Sequence, residues 1–511
     1  KRTLTLHSDF IRGEMKGDFH LGTLITQCRK LLHIYIPSFV KEPQLKKEAS
    51  DEVFLSMHID NVEPIKKIFG IPLEIRKPSH INGYFNSRTQ ELDFHALFPS
   101  FNYAGQQLDN LRIMSGCFND SLSGIVQFSK RIGKAPVDFK LQARAANDNV
   151  LTELKWTNHT ENVYKGAISV DTRFMHDENR KLLTDIIFHP SLIIVNDSAW
   201  NVHSSEIHLA PGLASINKFT IEQDDRHLIL DGRVSDSESD SLTVDLKKIN
   251  LEYIFNIINF HAVDFAGQAI GRIHAKRLMK TPEADARLHV EGFTFNKAYL
   301  GEMNLRGGWN KENNAISLNA HMADPVNRSM TQVNGDIRIG AAPKGGLDLM
   351  IRTENIDLSF LNQYTNGIFT GLYGRASGWT RVFGPFKGIN LEGDMLVNEG
   401  GMKVNATEVD YRLLNDSVIL RPDNIYFRNA TVYDKMGSPD RNDHYATVNG
   451  VLRHSCLSHM TFDFDIDAHN ILGYDVKEFG DNVFCGTAYA TGNIGFNGRP
   501  GNLNIHINAR P

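Results

Sequence analysis

Apolar and polar residues alternate along many short stretches of this chain, and polar turns separate the stretches. The clearest example is residues 460–468, where Phe462, Phe464 and Ile466 alternate with three aspartates. A period of two with apolar residues on one side is typical of a β-strand with one buried and one solvated face. Because this pattern recurs along most of the chain, the sequence predicts an almost entirely β protein.

The strict alternation argues against a parallel βαβ enzyme, whose strands read as continuous apolar runs. An antiparallel sheet with one apolar face must close on itself, pack on a second sheet, or curl so that this face is partly hidden. The residue pattern alone favours a sandwich or barrel core that is filled by its own side chains.

An apolar lead-in followed by a glycine-rich strand recurs at residues 249–271, 356–378 and 470–492, and a looser copy begins at Ile59. The copies lie about 110 residues apart, which is longer than the periods of solenoid repeats. Each repeat is therefore expected to hold one short helix and several strands. The glycines Gly271, Gly378 and Gly492 are expected either to set curvature or to leave room for a bound chain.

Two segments favour helices. Residues 21–32 place Leu24, Ile25, Cys28, Leu31 and Leu32 at helical spacing, which predicts a short amphipathic helix. Residues 356–368 are mixed apolar and long enough for about two or three helical turns.

Composition excludes several classes of protein. The chain has 55 basic and 60 acidic residues and no basic run, so nucleic acid is not an expected partner. Four widely spaced cysteines form no disulfide framework or CxxC motif. No apolar run approaches the length of a membrane helix. Because the chain begins at Lys1, it is expected to be an excised piece from which an anchor or signal is missing.

Motifs that carry chemistry are weak, so no catalytic residue, cofactor or metal is expected. The chain contains no phosphate-binding GxxxxGK[ST] loop and no GxSxG nucleophile elbow. His454, Cys456 and His459 are three possible metal ligands without a nearby fourth, and a polar turn explains them at least as well. The three aspartates Asp463, Asp465 and Asp467 could form a calcium face or paired carboxylates, but a solvated strand side is the preferred interpretation.

A resemblance to a known family adds to this picture. Residues 191–251 contain NDSAW, the strand pair INKFTIEQDDRHLILDGRVS and the strand DSLTVDLKKINL, and residues 301–322 read GEMNLRGGWNKENNAISLNAHM. Together they resemble the β-rich periplasmic region of the AsmA-like and TamB family of translocation and assembly module subunits, in its Bacteroidetes branch. The resemblance covers most of the chain and is clearest from about residue 190.

The resemblance implies an all-β fold in which a long curled, antiparallel-rich sheet forms a taco-like apolar groove, built from repeated units with a few short helices. Residues 1–145, 146–355 and 356–511 would be an N-terminal repeat region with the amphipathic helix, a central repeat region and a C-terminal repeat region of one continuous groove. It also implies a periplasmic location in a Gram-negative envelope, with anchorage to the inner membrane through an N-terminal helix that this chain lacks.

The function that the resemblance implies is a periplasm-spanning bridge that conducts phospholipid, or that supports outer-membrane protein assembly and secretion with an outer-membrane barrel partner. Phospholipid acyl chains would lie on the apolar face, where about 0.8 kcal/mol is gained for each methylene kept out of water. The residues expected to line the groove are Val137, Phe139, Leu141, Leu242, Val244, Leu246, Ile316, Leu318, Met322, Ile389, Leu391, Met395, Val397, Phe462, Phe464, Ile466, Leu503, Ile505 and Ile507.

Two other classes remain open. A structural or adhesive β-solenoid with a self-filled core would need short stacked coils, whereas the repeats here are about 110 residues long. A carbohydrate-active enzyme would need a carboxylate pair and aromatic platforms in one cleft, and the four tryptophans are far apart in the sequence. The preferred prediction is a protein that is not an enzyme.

Overall fold

The computed structural model describes residues 2–44, 50–64, 66, 70–132, 135–158, 160, 163–195, 197–253, 264–278, 283–310, 314–338, 345–365, 369–386, 388–405, 407–456, 458–477, 485–499 and 502–510. Contacts divide the chain into two compact units. Unit 1 comprises Lys1–Val244 and Lys276–Thr281, and unit 2 comprises Asp245–Ala275 and Pro282–Pro511.

The described part of the chain is nearly all β-strand. The strands are β1 (Arg2–His7), β2 (Ile11–Asp18), β3 (Glu52–Ile59), β4 (Leu73–Ile75), β5 (Ser79–Asn86), β6 (Glu91–Tyr103), β7 (Gln106–Phe118), β8 (Ser121–Ile132), β9 (Ala135–Ala146), β10 (Asn149–Asn158), β11 (Lys165–His176), β12 (Leu182–Phe188), β13 (Ser191–Val195), β14 (Ser198–Val202), β15 (Ser205–Ala210), β16 (Leu213–Gln223), β17 (Arg226–Ser235), β18 (Ser241–Asn250), β19 (Phe265–Lys276), β20 (Glu283–Phe295), β21 (Ala298–Asn310), β22 (Ala315–Asp324), β23 (Ser329–Arg338), β24 (Gly346–Asp357), β25 (Phe369–Pro385), β26 (Asn390–Val404), β27 (Val409–Arg421), β28 (Asn424–Tyr433), β29 (Tyr445–Ser455), β30 (Ser458–Val476), β31 (Gly486–Arg499) and β32 (Asn502–Arg510). The helices whose bounds lie within the described residues include α1 (Leu21–Tyr35), a 3₁₀ helix (Leu358–Leu361) and α2 (Asn362–Thr365).

The predicted all-β, antiparallel fold with a few short helices is confirmed. In unit 1 the strands from β5 to β11 each pair with the next strand along the chain, and in unit 2 the strands from β20 to β32 do the same. All of these pairs are antiparallel, as expected for strands joined by short turns.

Several strands bend at a bulge, where one residue has no partner in the ladder. The bulged residue has a positive φ, and a side chain on the facing strand accepts the hydrogen bond from its N–H. A bulge therefore leaves no orphaned donor at these points. The donor–acceptor pairs are Lys218 N–H to Asp231 Oδ1 (3.1 Å), Asn355 N–H to Ser377 Oγ (2.9 Å), Asn429 N–H to Asn449 Oδ1 (2.7 Å) and Asn470 N–H to Thr491 Oγ1 (3.0 Å).

Helix α1 confirms the predicted amphipathic helix and continues three residues beyond its predicted end at Leu32. Asp51, which lies outside the helix, stabilises the N-terminus of α1. Its buried carboxylate accepts hydrogen bonds from the His20 N–H (2.7 Å) and the Thr23 hydroxyl (2.9 Å). Leu31 is buried as expected, but Ile25 is 75% exposed. The apolar face of the helix is thus narrower than the spacing predicts.

Two apolar clusters form the core of unit 1. In one cluster Leu31 and Tyr35 of α1 pack with Val53, Phe85 and Ala145 of the sheet. The second cluster joins Val62 and strand β4, which lie in the segment between β3 and β5, to apolar side chains of β2, β3, β6 and β7. Helix α1 and the β4 segment therefore cover part of the apolar face of unit 1.

The repeat plan is only partly matched by structure. The segment after Ile356 forms the 3₁₀ helix and α2, and residues 366–368 lie outside the described residues. By contrast, residues 470–476 continue strand β30, and residues 478–484 of this copy lie outside the described residues. At Asn470 the register with β31 shifts at a bulge, and the strand continues beyond it to Val476.

The repeat glycines allow close backbone contact. At Gly378 φ is +149°, and an added Cβ would lie 2.2 Å from the carbonyl oxygen of Asp394 on the neighbouring strand. Gly271 is similar, with the Arg287 oxygen at 2.1 Å, and Gly492 also has a positive φ. An added Cβ at Gly393 would also meet backbone, since the Trp379 oxygen lies 2.2 Å from that position. At Gly271, Gly378 and Gly393 the space of a side chain is therefore taken up by the backbone of the neighbouring strand.

Candidate functional site

The strand register of unit 2 assembles a continuous apolar row across every strand from β20 to β32. Residues directly opposite each other in an antiparallel pair share one face of the sheet. We call this line the methionine row. Its members, in strand order, are Val290, Met303, Met322, Thr331, Thr353, Gly378, Met395, Val418, Phe427, Gly450, Phe464, Phe496 and Ile505.

The predicted lining residues Met322, Met395, Phe464 and Ile505 thus lie in one line, although they are far apart in the sequence. Sequence reasoning missed the members contributed by the intervening strands, such as Met303, whose alternation is interrupted by glycines. The missing information is the register, because a pattern of period two identifies a face but does not say which residues meet across strands.

Exposure changes along the methionine row. Val290, Met303 and Met322 are buried, whereas Met395 and the members up to Phe496 are partly exposed and Ile505 is 52% exposed. The 3₁₀ helix and α2 lie against the buried end: Phe360 contacts Phe295 with a ring separation of 5.7 Å, and the Asn296 amide donates to the Tyr364 hydroxyl at 2.9 Å.

A second line, the Leu318 row, runs parallel to the first across β21–β26. Its members are Gly307, Leu318, Gly335, Leu349, Val382 and Leu391. All its apolar side chains are partly exposed. Apolar side chains that line up across strands and still meet solvent form a strip to which an apolar ligand could add contacts.

The other predicted residues of unit 2 also share this face. Ile316 faces Ile337, Val397 faces Ala376, Phe462 faces Leu452, and Ile466 faces Ile494, which in turn faces Ile507. Ile389 precedes strand β26 and is partly buried. Leu503 pairs with Gly498 through its backbone, and its side chain lies outside the described residues.

In unit 1 the predicted residues of β9 also lie on an apolar face. Phe139 is opposite Phe128 and Trp156, and the rings of Phe128 and Phe139 stack at 5.1 Å. Leu141 is opposite Val126 and Leu154 and is partly exposed, and Val137 is buried. In β18, Leu242 and Val244 are partly buried, and Leu246, which belongs to unit 2, is buried.

Phenylalanines dominate the methionine row near the C-terminal strands. The Phe464 ring lies over Gly450, where an added Cβ would come within 2.4 Å of a ring carbon. Phe427 is 5.7 Å away in an edge-on arrangement and Phe462 is 6.3 Å away. Glycine on one strand therefore makes room for an aromatic ring from the next.

One polar pair interrupts the methionine row. The hydroxyls of Thr331 and Thr353 are 2.7 Å apart and buried, and Thr353 also donates to the Met330 carbonyl at 3.1 Å. Because these groups satisfy each other, the pair adds no unpaired polar atom to the apolar face.

The opposite face of the sheet is charged. Arg381 donates two hydrogen bonds to Asp348, at 2.8 and 2.7 Å, and these bonds hold the pKa of the Asp348 carboxyl below its ordinary value although burial opposes them. Asp463, Asp465 and Asp467 are exposed on this face, and Asp463 pairs with Arg453 at 3.1 Å. The aspartates therefore lie on the solvated side of the strand.

A buried carboxylate that sequence reasoning missed lies in the loop between β28 and β29. Asp434 is fully buried and accepts hydrogen bonds from His444 Nδ1 (2.9 Å) and from the backbone N–H groups of Leu472 (2.9 Å) and Met436 (2.8 Å). Burial alone would raise the pKa of Asp434, but these bonds bring it below its ordinary value. Asp434 thus fastens the loop to strand β30.

The proposed metal ligands do not converge. His454 has a buried side chain, and burial lowers its pKa. Cys456, between β29 and β30, and His459, at the start of β30, are exposed. Among the residues that the structure describes, no group of three or more His, Cys, Asp or Glu side chains is arranged to hold a metal ion. The described helices include none that is long and apolar enough to cross a membrane.

Fold and site together define a class: an antiparallel β protein with one charged face and one apolar face that is partly open to solvent. Comparison with protein-family models, with curated proteins and with solved structures found no match to this chain.

Proposed function

We propose that this protein binds phospholipid acyl chains on its apolar face and conducts them along the sheet, as part of a periplasmic bridge between the two membranes of a Gram-negative envelope. The observation that carries the proposal is the set of partly exposed apolar side chains in the Leu318 row and in the methionine row from Met395 onward.

The energetics suit acyl chains. An apolar ligand gains about 0.8 kcal/mol for each methylene removed from water. Neighbouring strands lie about 4.8 Å apart, so a chain moving across the strands meets a new apolar side chain at short, regular intervals. Transfer along such a path breaks no covalent bond, and the protein acts without catalytic residues.

The bridge would need ends that meet membranes. In this proposal an inner-membrane anchor helix precedes the chain, and an outer-membrane barrel of the assembly-module type is its partner, with outer-membrane protein assembly and secretion as linked roles. This part rests on the resemblance of residues 191–251 and 301–322 to the AsmA-like and TamB family.

A second candidate is a structural scaffold whose apolar face is filled by its own side chains. The clusters around Leu31 and Val62 favour it for the first strands of unit 1, because α1 and the β4 segment cover the sheet there. A self-filled region and a lipid-binding region are compatible within one chain.

Native mass spectrometry of the protein purified without harsh detergent, followed by lipid extraction, tests the proposal. Several co-purifying phospholipids per chain are expected. A lipid-free, monodisperse protein that also fails to take up phospholipid from vesicles would refute it and favour the scaffold.

A further inference from the structure

A pair of histidines with tilted rings lies on the polar face of unit 1. His58 of β3 and His80 of β5 are directly opposite each other in the ladder. Their ring centres are 4.5 Å apart, and the two Nδ1 atoms are separated by 3.1 Å. The two Nδ1 atoms are therefore within hydrogen-bond distance of each other.

The environment fixes which nitrogen of His58 carries a proton. Asp60 Oδ1 lies 2.8 Å from His58 Nε2, and Arg12 donates to the other carboxylate oxygen at 3.2 Å. Asp60 thus lies between two donors, with one carboxylate oxygen facing His58 and the other facing Arg12. Nε2 of neutral His58 is therefore the donor, which leaves Nδ1 with a lone pair directed at His80.

This arrangement matches one half of a metal site. Imidazole nitrogens bind zinc at about 2.0–2.1 Å with tetrahedral angles, so two of them on one ion lie about 3.3–3.4 Å apart. The 3.1 Å between the two Nδ1 atoms is close to this distance. Metal-binding histidines commonly donate their second ring nitrogen to a carboxylate, as His58 does to Asp60. The carboxylate also offsets part of the positive charge that Arg12 brings near the site.

We propose that His58 and His80 together bind a divalent transition-metal ion of the zinc class through their Nδ1 atoms, in place of the hydrogen bond between them. Water completes the coordination, since no third protein ligand among the described residues joins the pair. Each imidazole binds the ion as a neutral ligand: the proton on His80 Nδ1 moves through solvent to His80 Nε2, so the charge of the site rises by two.

The ion would join β3 to β5 beside the connection that carries β4. That connection contributes Val62 and Ile75 to the core of unit 1. A metal bridge across the two strands at its base is therefore expected to stabilise unit 1, because binding to the folded state alone shifts the unfolding equilibrium.

Zinc ion alone is the first probe, by isothermal titration calorimetry of the full chain after removal of any affinity tag. The variants are His80→Asn, which removes one ligand, and His203→Asn, a control whose histidine pairs with Glu222 at 2.7 Å. The expected result is one zinc ion per chain, a loss of affinity of at least tenfold in His80→Asn, and no change in His203→Asn.

Copper(II) gives an independent readout. Electron paramagnetic resonance of the protein with one equivalent of Cu²⁺ is expected to show two imidazole nitrogen ligands, and one in His80→Asn. Equal zinc affinity in the parent protein and His80→Asn, or a spectrum that His80→Asn does not change, would overturn the proposal. Circular dichroism of His80→Asn checks that the variant is folded, and a His58→Asn variant serves in its place if it is not.

Discussion

A carboxylate placed in the Leu318 row provides the sharpest test of lipid binding. Leu318 is flanked by Gly307 and Gly335 on the neighbouring strands and remains partly exposed. The substitution Leu318→Asp removes its apolar surface and puts a charge on the path. The adjacent Asn319 is exposed on the opposite face, across from Arg306, so Asn319→Asp adds the same charge one residue away without touching the path.

The size of the effect follows from burial. A charge at position 318 is expected to keep about four methylenes of an acyl chain from contacting the apolar face. The loss of these contacts costs about 3 kcal/mol of binding free energy, which lowers the affinity about a hundredfold. The loss of folding stability is smaller: full burial of leucine is worth about 1.5–3 kcal/mol, and Leu318 keeps part of its surface in water, so about 1 kcal/mol is expected.

The assay measures equilibrium binding of a fluorescent phospholipid, with co-purified lipid per chain counted by native mass spectrometry. Leu318→Asp is expected to bind about a hundredfold more weakly, whereas Asn319→Asp is expected to match the parent. Thermal unfolding of both variants checks that they are folded. Equal lipid binding by the two folded variants would show that the apolar face is not the path.

Three further predictions concern stability. Asp434→Asn is expected to destabilise the protein by about 3 kcal/mol, because it removes a buried, hydrogen-bonded charge. In the parent protein, the stabilisation that comes with the lowered pKa of Asp434 is fully present above the carboxyl's ordinary value of 3.8 and is lost as the pH falls below it. Urea unfolding measured as a function of pH should therefore show a smaller loss of stability in acid for the variant than for the parent. Gly378→Ala is expected to lower the melting temperature strongly, because the new Cβ would meet the backbone oxygen of Asp394. Gly307→Ala is the control and is expected to be tolerated, because its Cβ would come no closer than 3.6 Å to another atom. Similar melting temperatures for the two variants would contradict the role given to Gly378. Thr353→Val alone is expected to lower the free energy of unfolding by about 1 kcal/mol, because it leaves the Thr331 hydroxyl unpaired. Replacing both Thr331 and Thr353 by valine is expected to be nearly neutral. A double-mutant cycle in chemical unfolding that shows additive effects would refute the coupling between the two hydroxyls.

The alternation of apolar and polar residues was enough to predict the strands and the face on which their side chains lie. Phe462, Phe464 and Ile466 share the apolar face as expected, because side-chain direction in a strand depends only on local backbone geometry. The same reasoning predicted α1, although the exposure of Ile25 depends on how the helix lies on the sheet.

Features that depend on contacts between distant strands could not be predicted. The methionine row requires the register of each strand pair, and a shift of one residue would turn a strand's apolar side chains to the other face. The bond from Leu472 to Asp434 joins groups 38 residues apart, and Asp434 stands in a charged stretch that reads as a solvated turn. Bulges such as the one at Asn470 cannot be recognised in the sequence, because the apolar pattern continues on either side of them.

The pairing of each strand with its neighbour in the chain has a consequence for how the protein folds. From β20 to β32 every strand finds its partner across a connection between consecutive strands, so the entropy of closing each loop is small. Strands can be added one at a time to a growing edge, and each addition completes a ladder without waiting for a distant segment. A chain that reaches its compartment gradually, one end first, would be able to fold as it arrives, and a hairpin duplicated within it would lengthen the sheet without disturbing the pairs already made.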